Sequence, residues 1–417
     1  MSDRIPLIVH MSDEAGIQVG GIGAVLAGLV STPAYHAAVE RTLLAGPLHT
    51  NDIVAMERLV DAASGVQIAY SSYHGIYQGV PEEQRAALYA IEQRYGVALL
   101  YGTRCFGDFT CELLLADGSQ ANQQEANSFK FQCWEHYGLD SLRHSWNAEY
   151  NLYMALAPPL LAAMAVLTAS LAGGDRFLLA HDWPALPLAL AALIAQKGER
   201  RLDGEWRTIF YAHETATARR LVEEKSGHDT SFYNALDKAK EWSLSLEAVY
   251  GSQENDYKHS LLRLATRCDA IFAVGDVVLD ELRFLGGRFA NANIEVVYNG
   301  SDGAVLTLAD KLQSKARLQQ YAERLLGYRP DYIFTHVARM TLSKAFWRDL
   351  RLLDHLEGEL RKRGQRAVLF VLATSLPAGR RPQWVYAWEE QYGWPVQHRE
   401  DNGDLVELER TFYAEKL

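Results

Sequence analysis

Five short segments of this 417-residue chain carry residue types that could do chemistry. The first is GIQVGGIG (Gly16–Gly23), which runs into the apolar pattern AVLAGLV. A glycine-rich turn at a helix start offers an anion backbone N–H groups and the positive end of the helix dipole. Gly20, Gly21 and Gly23 would also let a ligand approach the backbone closely. The G-x-G-x-x-G order of a dinucleotide fingerprint is not met, and no acidic residue closes a second strand about 20 residues on. The second segment is AHDWPAL, where an apolar run ends at His181, Asp182 and Trp183. Parallel sheets bind ligands outside the carboxyl ends of their strands, and this trio offers a proton handle, an acceptor and a flat apolar face. In the plainer reading Trp183 is core and Asp182 caps a helix beginning at Pro184, and both readings can hold together.

The third segment, FYAHETATARRL, again follows an apolar run and holds His213 and Arg219. Arginine suits bidentate contact with phosphate or carboxylate, although on a first helical turn it is more often a solvated surface residue. The fourth, VYNGSDG, holds Asn299 and Gly300 and taken alone reads as a bare turn. The fifth is HVARMTLSKAFWRDL, with Arg339 past a strand end and Lys344 five residues later at a helix start. A lysine there opposes the helix dipole. Two cations at the mouth of a strand–loop–helix unit could stabilise a diphosphate leaving group.

The elements that must position these residues alternate along the chain. Apolar runs at 5–10, 66–71, 97–101, 176–181, 207–212, 270–274, 294–298, 332–337 and 367–372 read as strands, many covered on both faces. Helical patterns lie between them, at 21–30, 81–95, 184–197, 256–266, 277–285 and 347–362, and a hairpin-like insertion is expected at 109–117. The alternation predicts an α/β chain: a doubly wound parallel-sheet domain over 1–305, a hinge over 306–329 with one amphipathic helix, and the beginning of a second such domain over 330–417. The last segment holds about two strand–helix repeats, which predicts an abbreviated lobe or a sequence that stops before its natural end.

Composition narrows the function. With 41 basic and 52 acidic residues the net charge is −11, a poor match to nucleic acid or an anionic membrane. Cys105, Cys111, Cys133 and Cys268 form no C-x-x-C pair and no metal spacing, so they read as free thiols of a cytoplasmic protein without a metal. Residues 152–171 are uncharged and long enough to span a bilayer, but they are alanine-rich and split by Pro158-Pro159, which predicts a buried helix rather than a membrane span. The start of the chain does not read as a signal peptide.

In this order the five motifs resemble the retaining glycogen and starch synthases, glycosyltransferases of the GT-B fold. Gly20-Gly21-Ile22-Gly23 looks like their glycine loop and AHDW like their His-Asp-Trp strand end. HETATARRLVEEKSGHDTSFYN, KHSLLRLATRCDAIFAVGDVVLDE and VYNGSD are similar to the animal and fungal branch, THVARMTLSKAFWRDL to the Arg-x4-Lys motif of the bacterial and plant branch. Gln18 stands where the bacterial enzymes have Lys, and Ala345 where Gly follows the donor-site Lys. Glu407 and Glu415 have the Glu-x7-Glu spacing without its glycine, so the true motif is expected past residue 417.

The resemblance implies transfer of glucose from UDP-glucose or ADP-glucose to an α-glucan with retention, with no cofactor. It implies catalytic roles for Arg339, Lys344 and His181. Donor or acceptor contacts fall to Gly20, Gly21, Gly23, Asp182, His213, Arg219, Asn299 and Gly300. His181 and His213 are expected to face one inter-domain cleft, which on closing excludes water. A homo-oligomer is allowed. Two other classes stay in view: a catalytically incomplete GT-B protein that binds glucan or regulates, and a nucleotide-dependent oxidoreductase, which the missing fingerprint disfavours.

Overall fold

The computed structural model describes residues 4–171, 175–197, 205–224, 228–300 and 305–372. The chain divides into two compact units, Met1–Arg220 with Phe232–Asp302, and Leu221–Ser231 with Gly303–Leu417.

The first unit is built on a nine-stranded sheet. Its strands are β1 (Leu7–Met11), β2 (Thr42–Pro47), β3 (Val66–Ser71), β4 (Ala98–Phe106), β5 (Phe109–Asp117), β6 (Asp175–His181), β7 (Glu205–Ala212), β8 (Ala270–Ala273) and β9 (Ile294–Val296). They lie in the order β3-β4-β5-β2-β1-β6-β7-β8-β9, and β4 alone runs against the rest. The mixed α/β class with a large parallel sheet is the one the alternation predicts. The expected insertion at 109–117 is the second arm of the β4–β5 hairpin, which turns at Gly107 with φ 58°.

Strand β2 was not anticipated, because Gly46 and Pro47 at its end look like breakers. Packing explains the glycine: a Cβ on Gly46 would lie 2.3 Å from the Ser12 carbonyl oxygen. The apolar stretch near 152–171 is the helix Ala148–Leu167, the one helix among the described residues long and apolar enough to cross a membrane. It is a core helix: Tyr150, Met154, Leu156, Leu160, Ala163 and Met164 are fully buried, and Pro158 and Pro159 sit inside it. The helix Asp182–Lys197 is likewise apolar on most sides and buried. A helix apolar all round belongs inside a large core rather than on its surface.

In the second unit β10 (Tyr332–Val337) and β11 (Ala367–Leu372) form a parallel pair. The helix Phe346–Lys362 crosses between them, and the helix Leu308–Leu326 precedes them, opened by a capping box of Thr307 and Asp310. The segment Leu221–Ser231 belongs to this unit through Glu223, which accepts from Ser343 Oγ at 2.6 Å, and Asp229, which pairs with Arg348 at 2.6 Å.

Candidate functional site

Three histidines stand where β1, β6 and β7 end. The sheet register pairs His10 with Leu179 and His181 with Tyr211. Each successive histidine is therefore two residues further along its strand, and a step of two keeps all three imidazoles on one sheet face. His10 Nδ1 lies 2.9 Å from His181 Nε2, and His181 Nδ1 lies 2.8 Å from His213 Nε2. At the inner end His10 Nε2 is 3.0 Å from the Tyr35 hydroxyl, to which Thr42 Oγ1 donates at 3.1 Å.

These contacts fix a direction. With the Tyr35 oxygen already accepting from Thr42, the phenolic proton has one acceptor among the described residues, His10 Nε2. A neutral imidazole donates from one nitrogen and accepts at the other. His10 Nδ1–H then donates to His181 Nε2, and His181 Nδ1–H donates to His213 Nε2. His213 is left with an Nδ1–H that meets no partner among the described residues. Burial holds the row neutral. It draws His10 down to about 3 and His213 to about 4, and His181 lies well below its ordinary value. The neighbouring imidazoles add to this for His10 and His181. The row is a line of mutual hydrogen bonds rather than a convergent set, and among the described residues no group of three His, Cys, Asp or Glu is placed to hold a metal.

Asp182 does not cap its own helix, which corrects the plainer sequence reading. It is the first residue of the helix Asp182–Lys197, in the left-handed region at φ 58°. Its Oδ1 crosses to the turn after β7 and accepts from His213 N at 2.7 Å and Glu214 N at 3.3 Å. The carboxyl thus sets the backbone that carries His213. Burial, reinforced by Glu214, pushes it up to about 8 against the pull of those two amides and Arg219. A non-glycine residue held at positive φ stores strain that the surroundings must impose. Trp183 is core, edge-on to Tyr153 and Tyr257. Arg219, on the first turn of the helix Ala216–Glu223, is paired with Glu214 at 2.6 Å.

The glycine loop is partly closed by the chain itself. Glu14 Oε2 accepts from Val19 N at 2.7 Å and Gly20 N at 2.6 Å, so a carboxylate of the protein holds two of the amides expected to face a ligand. At Gly23 a Cβ would lie 2.4 Å from Glu14 Oε2 and 3.0 Å from the Gln18 Cα, so a larger residue there would push the Glu14 carboxylate off these amides. At Gly21 a Cβ would meet nothing within 4 Å. Asn299 Oδ1 is 3.5 Å from the Tyr211 hydroxyl, and the Tyr211 ring packs 4.7 Å from that of His213. The Gly300 carbonyl closes on Gly28 of the helix Gly21–Val30, 3.4 Å from where a Cβ would be.

The second unit positions the two expected cations on the loop after β10. Arg339 is exposed, its carbonyl accepting from Thr341 N at 2.9 Å. Lys344 ends the short turn Leu342–Lys344, two residues before the helix Phe346–Lys362 rather than at its start as the sequence suggested. Ala345, the residue that departs from the glycine of the resembling enzymes, has φ 56°. Glu407 and Glu415 lie outside the described residues. Sequence reasoning missed His10, Tyr35 and Glu14. The signal for His10 was present: a histidine closing the first apolar run, as His181 and His213 close or follow later ones.

No family model matches the chain, and no curated protein sequence matches it. Solved structures resemble it in fold. The catalytic domain of starch synthase IV from Arabidopsis thaliana, bound to ADP and acarbose, aligns over 93% of this chain and 72% of that chain at 15% identity and a TM-score of 0.45. The E. coli trehalose-6-phosphate protein bound with UDP-2-fluoro glucose aligns over 92% of this chain and 68% of its own at 14% identity and 0.39. The trehalose 6-phosphate synthase of Burkholderia multivorans aligns over 93% and 68% at 11% identity and 0.37. The likeness is distant and concerns the fold alone.

Proposed function

We propose that this chain is a nucleotide-sugar glycosyltransferase that moves glucose from UDP-glucose or ADP-glucose to an α-glucan with retention. The observation that carries the reading is the row of neutral histidines ending in the open Nδ1–H of His213. A fixed, uncharged donor at the carboxyl edge of a parallel sheet suits the hydroxyls of a neutral sugar, where an imidazolium would favour an anion. His181 holds the row together and His213 contacts the sugar. Asp182 orients His213 through its backbone. Arg339 and Lys344 hold the diphosphate, where negative charge develops as the glycosyl bond breaks. The helix Gly21–Val30 points the positive end of its dipole towards its glycine loop, and Gly20, Gly21 and Gly23 border the donor there. Asn299 and Gly300 complete the sugar side through Tyr211.

The test is transfer of radiolabelled glucose from each nucleotide donor to glycogen, with the anomeric form of the new bond read by enzymatic digestion. The reading expects an α-linked product from an α-linked donor, and loss of transfer in His213→Asn. Glycogen binding without transfer from either donor would favour the glucan-binding alternative. Binding of NAD(P) with neither sugar nucleotide bound would favour an oxidoreductase.

A further inference from the structure

The loop that carries Arg339 and Lys344 is tied down by a distant part of the sequence. The helix Ala216–Glu223 begins in the stretch that belongs to the first unit and ends in Leu221–Ser231, which belongs to the second. Its last residue, Glu223, is half-buried and accepts from Ser343 Oγ at 2.6 Å. Asp229, buried, pairs with Arg348 at 2.6 Å, and Arg348 donates to Thr230 Oγ1 at 2.8 Å. These contacts bracket Lys344, on the residue before it and one helical turn after it.

Proton accounting orders the loop from within. A carboxylate only accepts, so the Ser343 proton goes to Glu223. Thr341 Oγ1, 2.9 Å from Ser343 Oγ, is then the donor to it. Thr341 also holds the backbone on both sides. Its amide donates to the Arg339 carbonyl at 2.9 Å, and its carbonyl accepts from Lys344 N at 3.0 Å. One residue is thus tied to both cationic positions, and its hydroxyl leads through Ser343 to Glu223. At the base of the loop His336 Nδ1 is hydrogen-bonded to Asp349, closing the end of β10 on the helix Phe346–Lys362.

A carboxylate is out of place on a loop that holds an anion. Its charge repels a diphosphate, so what it adds to binding is geometry. Cations on a loose loop must be ordered when the ligand arrives, whereas cations held at one separation favour two joined phosphates over one.

We propose that Glu223 is a positioning residue for the Arg339–Lys344 loop, which it holds through Ser343 and Thr341 in a form that prefers a diphosphate to a single phosphate. The proposal rests on the reading of Arg339 and Lys344 as the pair that holds the diphosphate, and the experiment separates the two.

That experiment is calorimetric titration of the full chain with inorganic pyrophosphate and with orthophosphate. The parent protein should prefer pyrophosphate. Ser343→Ala, which removes one hydroxyl and no charge, should lower that preference by about fivefold, the scale of one lost hydrogen bond. It leaves the backbone hydrogen bonds of the turn in place, so it decides the matter even if Glu223→Ala does not fold. Glu223→Ala should lower the preference too, although loss of a negative charge alone would raise it, pyrophosphate being the more highly charged anion. Glu223→Gln keeps an acceptor for Ser343 and drops the charge, so its preference should equal or exceed the parent's. The proposal is overturned, with the donor reading intact, if the parent prefers pyrophosphate and either Ser343→Ala or Glu223→Ala keeps that preference, or if Glu223→Gln loses it as Glu223→Ala does. A parent that binds pyrophosphate no better than orthophosphate at millimolar concentration overturns the donor reading of the loop and this proposal with it.

Discussion

The two units hold their functional groups in opposite ways. In the first, His10 and His181 are fully buried and hydrogen-bonded at both ring nitrogens, in a sheet whose core includes fully buried Tyr70, Tyr150, Phe210 and Phe232. In the second, Arg339 is exposed on a loop, and the helix that follows it, Phe346–Lys362, has no buried residue. Candidate site and core are one object in the first unit, so damage to the row costs stability whatever it does to activity. In the second, exposed Arg339 can be removed with little effect on folding. A buried, hydrogen-bonded group has one geometry open to it, whereas an exposed cation acts through charge and adapts.

The largest effect that would sharpen this contrast is on turnover. Arg339→Ala and Lys344→Ala should each reduce glucosyl transfer by about 10²-fold or more, as expected for one lost contact to developing charge. Thermal unfolding of Arg339→Ala should match the parent. Near-parental transfer by both variants would remove the donor assignment.

Next comes His181→Ala, which should destabilise the first unit by roughly 3 kcal/mol, because it opens a cavity and strands ring nitrogens on both sides. Chemical denaturation measures this. A loss below about 1 kcal/mol would mean that the row is not integral to the core.

The third prediction concerns pH. Unfolded histidines take up protons near their ordinary value of 6.5, while folded His10 and His213 stay neutral down to about 3 and 4. Between those limits the unfolded state binds more protons. Stability is therefore full above pH 6.5 and is lost as pH falls, by up to about 1.4 kcal/mol per pH unit for each histidine. Asp182 acts in the opposite sense. Its carboxyl is raised from 3.8 to about 8, so the folded state holds the extra proton, and stability declines as pH rises through that window. The sum is an optimum near pH 6.5. His10→Gln should flatten the acid limb and Asp182→Asn the alkaline one, in denaturation curves recorded across the range.

The smallest effect belongs to the second unit. Ala345 holds φ 56°, a conformation that glycine adopts without strain, so Ala345→Gly should stabilise this unit by about 1 kcal/mol. Destabilisation on the same scale would show that the Ala345 methyl packs against something that matters.

How far the sequence could be read follows the same divide between local pattern and long-range contact. β10 and β11 were legible to the residue, because β11 is an unbroken apolar run and β10, YIFTHV, is rich in β-branched and aromatic residues. Likewise the helix Gly21–Val30 begins at its glycine pair as expected. β2 was hidden by Gly46, whose absent side chain is explained by the Ser12 carbonyl just past the end of β1. That strands end at His181 and just before His213 was legible, whereas the place of His10 beside them needed the register that sets it two residues behind His181. Asp182 read as a cap because its true partners, the amides of His213 and Glu214, lie one strand away. The glycine loop looked open because nothing in the spacing shows Glu14 folding back onto it.

The central claim is that three neutral imidazoles form one directed chain that presents His213 Nδ1–H. Nitrogen-15 NMR of the histidine rings reads it most directly. The account predicts that His10, His181 and His213 all carry their proton on Nδ1, stay neutral at pH 6, and that His213 changes tautomer or becomes mixed in Tyr35→Phe, where the donor that sets the direction is gone. A His213 ring protonated on Nε2, or charged at pH 6 in the parent protein, would contradict it.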